Sequence, residues 1–245
     1  NTAIGEGSGK SNTTGHNNTF LGQDAGEANT TGLYNVSVGS DALQANTTAS
    51  NNTAVGFQSL YANTTGTQNT AVGTGALATI TTASTNTAVG YNALTANTSG
   101  STNVAVGRET MQANTTGTEN VAVGGGALDA NTVGSYNAAL GNAALGSDTK
   151  GSRSVAIGHN ALTNQNFTSA TDAYNVAVGQ NAGLNVTTGD QNTYIGGKSG
   201  FLTTDGRQNV AVGYNCMGNA DAGNDNTAVG VGAAYNCTGA NNTAI

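Results

Sequence analysis

The side chains able to do acid–base, metal or phosphate chemistry are few in this sequence and lie far apart. His16 and His159 are the two histidines among 245 residues, and both stand beside Gly or Asn in turn-like surroundings. A general acid or base must lie within hydrogen-bond reach of its partner. Two isolated turn residues do not meet that need, so we interpret both as exposed surface histidines.

Acidic and glycine-rich segments give no stronger indication of catalysis. Asp24, Asp41 and Glu109 share one position of a sequence repeat described below, but only the first two fall in adjacent copies, so a calcium site at that pair is an alternative. Gly124–Gly126 is followed by neither Lys nor a helical pattern, which argues against a phosphate-binding loop. No Cys/His cluster has metal-ligand spacing. We therefore predict a protein that is not an enzyme and uses no cofactor or metal.

The two cysteines, Cys216 and Cys237, fall in neighbouring copies of the repeat but at different positions of it. Stacked copies would not place them one above the other, so we expect two small, partly buried thiols. The alternative is a disulfide within or between chains, which would require an oxidising compartment.

Composition excludes two other classes of function. The formal charge of −7 arises from 13 acidic and only 6 basic residues, so the basic surface of a nucleic-acid-binding protein is missing. The sequence has no secretory signal and no long apolar run, so this segment is not expected to insert into a membrane. Since the first and last residues fall inside the repeat, we interpret the chain as part of a longer protein.

A repeat organises the chain. The motif Asn-Thr-Ala-Val-Gly of Asn52–Gly56 returns along the whole length with a period of 17, as the starts at Asn35, Asn52 and Asn69 show. One spacing is longer, from Ser154 to Asn175, and the last, which ends at Asn242, is slightly shorter. A fixed period kept over this many copies is the signature of a solenoid. We predict one array over residues 1–245, with fourteen coils, the start of a fifteenth, and an insertion in the turn 163–174.

Each copy, numbered from its first Asn, begins with a strand pattern. Positions 1 to 4 alternate with a period of two, position 4 is always aliphatic, and position 3 is Ala in 12 of 15 copies. Gly at positions 5 and 15 and the Asn-Thr-Thr turn at positions 12–14 fit left-handed or tightly packed corners. Two short strands and two turns would fill one copy. We therefore predict an all-β parallel solenoid in which the position-1 asparagines stack into a ladder.

Two exceptional copies indicate which side chains point inward. Phe20 and Tyr194 replace Ala at position 3, and in the same copies the usual Leu at position 9 becomes Gly26 and Gly200. A large side chain gained at one position and lost at the other conserves core volume. Positions 3 and 9, with 8 and 11, should therefore fill the coil, and positions 2 and 4 should face outward. A solitary solenoid with position 4 in its core is the alternative.

An outward position 4 leaves a long aliphatic stripe on the surface, which marks an interaction face. Closed rotational symmetry would bury every copy of the stripe in the same way. The predicted assembly stripe consists of Ile4, Leu21, Val38, Val55, Val72, Val89, Val106, Val123, Leu140, Ile157, Val178, Ile195, Val212, Val229 and Ile245.

The segments Gly56–Ala62, Gly66–Val72 and Ser154–Ala161 resemble the head repeats of YadA-like trimeric autotransporter adhesins. They are also similar to repeats of the same type in phage and viral tail fibres. The resemblance implies a homotrimer of left-handed β-rolls with the aliphatic stripe on the trimer axis. The repeat here is longer than the usual adhesin repeat, and the extra residues fall in the Asn-Thr-Thr turn.

Two further features are candidate surface sites. The insertion lengthens one turn to Thr163–Tyr174, where Asn166, Phe167 and Tyr174 are candidates for receptor contact, although a tolerated insertion is the alternative. Several Asn-x-Thr/Ser triplets fit the glycosylation pattern, although turns need Asn and Thr for structural reasons as well. The candidate glycosylation sites are Asn12, Asn29, Asn46, Asn63, Asn97 and Asn114.

These patterns together predict a structural and adhesive segment of an extracellular fibre, on a cell surface or a virion, that contacts a host receptor or glycan. Exposed contacts should come from positions 6, 7 and 10, for example Phe57, Tyr61, Tyr91, Arg108 and Tyr214. One alternative is a structural filament or sheath without a receptor. Another is an ice-binding solenoid, but the adjacent Thr pair in each turn would point its side chains apart.

Overall fold

The computed structural model describes all of residues 1–245, which form two compact units, Asn1–Glu119 and Asn120–Ile245. Both units are parallel β-solenoids without a helix, and each coil is one copy of the repeat. Positions 2 to 4 of every coil form a short strand, and turns make up almost all of the rest. The predicted all-β parallel solenoid is therefore confirmed, but each coil has one regular strand where we expected two.

The first unit contains seven strands that pair in sequence order. Each strand residue pairs with the residue at the same position of the next coil, as Thr2 does with Thr19, so equivalent side chains lie next to one another. The strands are β1 (Thr2–Ile4), β2 (Thr19–Leu21), β3 (Val36–Val38), β4 (Thr53–Val55), β5 (Thr70–Val72), β6 (Thr87–Val89) and β7 (Val104–Val106).

The second unit repeats this arrangement and adds a small second sheet. The main-sheet strands are β8 (Val121–Val123), β9 (Ala138–Leu140), β11 (Val155–Ile157), β13 (Val176–Val178), β14 (Thr193–Ile195), β15 (Val210–Val212), β16 (Thr227–Val229) and β17 (Thr243–Ala244). The second sheet consists of β10 (Gly151–Ser152) and β12 (Thr171–Asp172), which pair in parallel beside the insertion.

The coil interior is filled from positions 3, 8 and 9. Alanines such as Ala54 at position 3 and leucines such as Leu60 at position 9 are fully buried. A Cβ added to Gly26 would lie 2.5 Å or less from two atoms of the Phe20 ring, and a Cβ added to Gly200 would lie equally close to the ring of Tyr194. The predicted pairing of positions 3 and 9 is therefore confirmed, and a core built on position 4 is excluded.

Position 12 takes the interior place that we expected for position 11. Residues at position 11, such as Ala62, are only half-buried, whereas Asn63 at position 12 is fully buried. Its Nδ2 donates to Oδ1 of Asn46 in the preceding coil (3.3 Å) and to the Gly66 carbonyl of its own coil (3.0 Å). The amino group of this side chain can be buried because both of its hydrogen bonds are made inside the protein.

The asparagine ladder at position 1 is present in both units. In the first unit, Oδ1 of Asn52 accepts a hydrogen bond from the backbone N–H of Asn69 at 2.9 Å. Nδ2 of Asn52 donates to the carbonyl of Gly66 across the same coil, also at 2.9 Å. Each position-1 carboxamide therefore connects a coil both to the next coil and to itself.

Left-handed backbone occurs at three other corners of the coil, at positions 7, 9 and 17. The Leu and Met residues at position 9 have φ between 49° and 53°, which is uncommon for large side chains. Gly is needed at position 5, where φ is near 130° and a Cβ on Gly56 would lie 2.7 Å from the backbone of Gly73. At position 15 no left-handed angle occurs, and Ala49 and Ala83 replace Gly there. Position 15 is thus a point of close approach only.

The pairing of positions 3 and 9 predicts a compensating double substitution. Gly26→Leu alone should destabilise the chain by about 1–3 kcal/mol or more, because the new side chain overlaps the Phe20 ring. Phe20→Ala alone should cost about 3–5 kcal/mol through the cavity that it leaves.

In the double variant Phe20→Ala/Gly26→Leu the coil regains the common Ala/Leu pair. It should be more stable than the sum of the two single effects predicts, as measured by urea unfolding in a double-mutant cycle. Strictly additive losses would contradict a shared interior.

Candidate functional site

The outward face of the strands is the most regular surface of the chain. Position 4 points away from the coil interior, and Leu21 and Leu140 on it remain 43% and 40% exposed. Position 2 shares this face and carries Thr, Val or, once, Ala, so neither position bears a charge in any repeat. Because the strands pair in register, the position-4 side chains of each unit stack directly over one another. The arrangement is an uncharged aliphatic stripe suited to packing against another apolar surface.

The predicted stripe residues all lie on this face, with differing exposure. Most of the valines, such as Val55 and Val72, are half-buried, because neighbouring coils cover their flanks. Ile4 and Ile245 are the most exposed members, at 61% and 97%.

The histidines and acidic residues do not form a reactive cluster. His16 is exposed and lies edge-on to Tyr34, with ring centroids 6.0 Å apart, while His159 is exposed in the other unit. Asp24 and Asp41 follow each other at position 7 in adjacent coils. No group of three His, Cys, Asp or Glu side chains lies close enough to hold a metal ion.

Both cysteines are free thiols. Cys216 is fully buried inside its coil, where its Sγ donates to the carbonyl of Ala228 at 3.3 Å, and burial raises the pKa of this thiol. Cys237 is half-exposed and lies 3.4 Å from Nδ2 of Asn242. The structure therefore contains no disulfide, and Cys216 is shielded from solvent.

The candidate glycosylation sites lie mostly in the interior. Asn12 is half-buried, and the other five, Asn29, Asn46, Asn63, Asn97 and Asn114, are fully buried. Nδ2 is the atom that would carry a glycan, and in Asn29 it donates to Oδ1 of Asn12 at 2.8 Å and in Asn46 to Oδ1 of Asn29 at 2.7 Å. These positions thus supply a hydrogen-bonded ladder, and the coil has no room for a sugar on the five that are fully buried.

The first threonine of the turn pair is also committed to the fold. Oγ1 of Thr30 donates to the carbonyl of Thr47 in the next coil at 2.9 Å, and Thr47 repeats the contact to Thr64 at 3.2 Å. A hydroxyl that donates its proton to the backbone cannot also donate it to an ordered water layer. This use of the position-13 hydroxyls removes half of the threonine array that an ice-binding face would need.

The insertion is absorbed at two places. In the β10–β12 pair Gly151 lies opposite Thr171, and in the β11–β13 pair Val155 lies opposite Val176. The number of residues that separates the two partners is larger by one in the second pair. One extra residue therefore lies between β12 and β13, and the others precede β12. Of the candidate contact residues, Asn166 and Tyr174 are exposed, but Phe167 is buried, so its interpretation as a contact residue is wrong.

The buried group beneath the insertion is Asp148, which stands at position 12 in place of Asn. Oδ2 of Asp148 accepts a hydrogen bond from Nε2 of Gln165 (2.5 Å), and Oδ1 accepts from the N–H groups of Gly151 (2.9 Å) and Phe167 (3.3 Å). Desolvation raises the pKa of Asp148 above its ordinary value, although these hydrogen bonds oppose the rise. The carboxyl group fastens the inserted turn to the coil before it.

Sequence reasoning named Tyr174 but missed the exposed cluster to which it belongs, which consists of Tyr136, Arg153, Asp172 and Tyr174. The guanidinium carbon of Arg153 lies 4.6 Å from the ring centroid of Tyr136 and 5.9 Å from that of Tyr174. Its Nε is 3.2 Å from Oδ1 of Asp172. Tyr136, Arg153 and Tyr174 each immediately precede the start of a copy, and this shared position is the signal that could have found them.

The exposed residues predicted at positions 6 and 10 are placed as expected. Phe57, Tyr61, Tyr91 and Tyr214 have between 38% and 56% of their surface exposed, and Arg108 is exposed as well. They do not stack on one another, so they form no second organised cluster.

No protein-family model matches the sequence, and no curated protein matches it significantly. The structure contains no helix of the length and apolarity needed to cross a membrane.

The raised pKa of Asp148 predicts a pH-dependent stability difference. A carboxyl group whose pKa is raised by folding favours the folded state at low pH and loses that contribution as pH rises through the folded pKa. Asp148→Asn removes the titrating group. The melting temperature of this variant should therefore rise relative to that of the parent chain as pH increases from about 4 to 7.

Asp205→Asn, which removes one carboxylate at an exposed position, is the control for the change of charge itself. A temperature difference between Asp148→Asn and the parent that stays constant over this pH range would contradict the assignment.

Proposed function

We propose that the chain is a segment of an extracellular fibre that assembles as a homotrimer through the position-4 stripe. The observation that carries the proposal is the in-register, uncharged aliphatic stripe on the outer face of the strands. Such a stripe is a poor surface to leave in water, and an interface made of it suits an obligate assembly. The fibre would lie on a cell surface or a virion.

The energetics of the stripe favour assembly along its length. Burying a whole Val, Leu or Ile side chain contributes about 1.5–3 kcal/mol, so the exposed fraction of each position-4 side chain contributes about 1 kcal/mol or less. The free energy of one such contact is smaller than the free-energy cost of the entropy lost on association, which is about 4–15 kcal/mol. Because every coil adds another contact, the sum over a unit reaches that range, and position 2 adds to it.

Closed symmetry accounts for a narrow stripe better than an open contact does. At a rotation axis, identical stripes meet one another, and no copy is left uncovered. The resemblance of the repeats to trimeric adhesin heads favours three copies. Positions 6, 7 and 10 and the turns would then face outward, where Phe57, Tyr91 and Tyr214 are available for contacts.

The assembly is tested by charging the stripe. Light scattering of the purified chain should give about three times the chain mass of 24.0 kDa over a range of concentrations. A variant that combines Val55→Lys, Val72→Lys and Val89→Lys should have the mass of one chain. In a trimer, the lysine charges of three chains would be buried close together at the axis, away from solvent.

The matched control carries Phe57→Lys, Thr74→Lys and Tyr91→Lys, which place the same charges at exposed position 6 of the same three coils. This control should remain trimeric, and circular dichroism should show that both variants keep their β structure. A parent chain that is monomeric at every concentration would overturn the proposal.

The adhesive role is tested by incubating the labelled chain with a printed array of natural oligosaccharides. A subset of glycans should retain it, and retention should weaken for the stripe variant, because a trimer binds with three sites at once. Retention by no glycan would favour the alternative of a structural filament without a receptor.

A further inference from the structure

We propose that Tyr136, Arg153, Asp172 and Tyr174 form a binding site for an oligosaccharide that carries a carboxylate. This inference rests on the adhesive function proposed above and names a place and a ligand class for it. The stack of Tyr136, Arg153 and Tyr174 is the only cation–π arrangement in the chain, and the Asp172 carboxylate lies beside it.

The stack is not required by the fold. Other coils have Asn, Gln or Thr at position 17, for example Asn51, Gln68 and Thr85, and they pair in the same register. The residue immediately before each new copy is left-handed throughout, with φ of 62° at Tyr136 and 50° at Tyr174, and large side chains adopt such angles at a cost. Exposed cation–π contacts return only about 0.5–1 kcal/mol. Two tyrosines here therefore suggest a role other than stability.

The cluster is open to solvent. Tyr136 and Tyr174 are 47% and 52% exposed, and the side chains of Arg153 and Asp172 are 41% and 54% exposed. Tyr136 and Tyr174 lie two coils apart, so their rings are about 10 Å from each other, which is close to the length of a disaccharide. Aromatic rings offer an apolar surface to the C–H face of a sugar, and their hydroxyl groups remain able to bond its hydroxyls.

The charges in the cluster indicate an acidic sugar. Nε of Arg153 is engaged by Asp172, which orients the guanidinium plane and leaves its terminal nitrogens to donate. Paired N–H donors of this kind match the two oxygens of a carboxylate. Lys150 and Arg153 lie within one turn, and with the Asp172 carboxylate their charges sum to +1, in a chain whose formal net charge is −7. Asp172 can accept bonds from sugar hydroxyls.

The backbone beneath the cluster is held in place. Pairing of Ser152 with Asp172 in the β10–β12 sheet brings the neighbouring coils together directly under Arg153. Nζ of Lys150 donates to the carbonyl of Thr168 at 3.2 Å and ties the inserted residues to the preceding coil. A site built on paired strands keeps its side chains in position better than a free loop does. The small second sheet thus gives the insertion a role as a support.

The test is calorimetric titration of the chain with 3′-sialyllactose and with digalacturonic acid, using lactose as the neutral counterpart. At least one of the acidic sugars should bind, and lactose should bind about tenfold more weakly or not at all, because it lacks the carboxylate. Raising the salt concentration should weaken binding of the acidic sugar, since part of the attraction is between exposed charges.

Variants assign the binding to the cluster. Arg153→Gln and Tyr174→Ala should each lower the affinity for the acidic sugar about tenfold or more. The affinity of Arg153→Lys should lie between those of Arg153→Gln and the parent chain, because lysine keeps the charge but lacks the planar fork of donors. Tyr34→Ala is the control, since Tyr34 is an exposed position-17 tyrosine in the other unit without an arginine partner. It should leave the affinity unchanged.

Thermal unfolding of each variant separates a loss of binding from a loss of fold. No binding of either acidic sugar, or equal affinity in the parent and in a folded Arg153→Gln variant, would overturn the inference. The parent chain could be trimeric and bind glycans on the array, and the cluster variants could bind the same glycans equally well. In that case the fibre proposal stands and the assignment of this site is wrong.

Discussion

The whole structure depends on the side-chain carboxamide of the position-1 asparagine, which accepts a backbone N–H in the place of a backbone carbonyl. At position 1 the chain leaves a left-handed residue and enters a strand, so its N–H points at a side chain of the preceding coil. Oδ1 of Asn52 receives that N–H from Asn69, while its Nδ2 bonds to the Gly66 carbonyl, which also accepts from Asn63. One buried side chain thus closes its own coil and sets the register of the next. Without it, the backbone N–H of Asn69 would be buried without a partner, and the Gly66 carbonyl would keep only its bond from Asn63.

The two asparagine ladders differ in how far they tolerate change. Position 12 bonds through side chains, and Ile80 interrupts it, leaving Oδ1 of Asn63 buried without a partner. Position 1 serves the backbone and changes only at Ser154, beside the insertion. There Gln165 donates to Oγ of Ser154 at 3.1 Å and accepts from Nδ2 of Asn175 at 2.8 Å. A side chain from the inserted coil therefore fills the space that the shorter residue leaves.

The sequence was sufficient to predict the coil interior because two of its residues change together. Phe20 with Gly26 and Tyr194 with Gly200 are pairs in which volume moves from one wall to the other, and that exchange is visible within one copy. The buried asparagine at position 12 was not visible in this way, because its partner lies in the neighbouring coil and Asn-Thr-Thr alone is typical of a surface turn. The single strand per coil was missed for a related reason. Leucine at position 9 takes a left-handed angle that its own preference would not predict, since burial outweighs the strain.

The ring of Phe20 also crosses the boundary between coils. A Cβ on Gly9, in the preceding coil, would lie 2.7 Å from it, and Tyr194 has the same relation to Gly183. Coils of this kind cannot be shuffled freely, because placing either aromatic coil after one with Leu at position 9 would make two side chains occupy the same space. Duplication or recombination of the gene could copy the common coils one at a time. The two aromatic coils can be inherited only together with the coils that precede them.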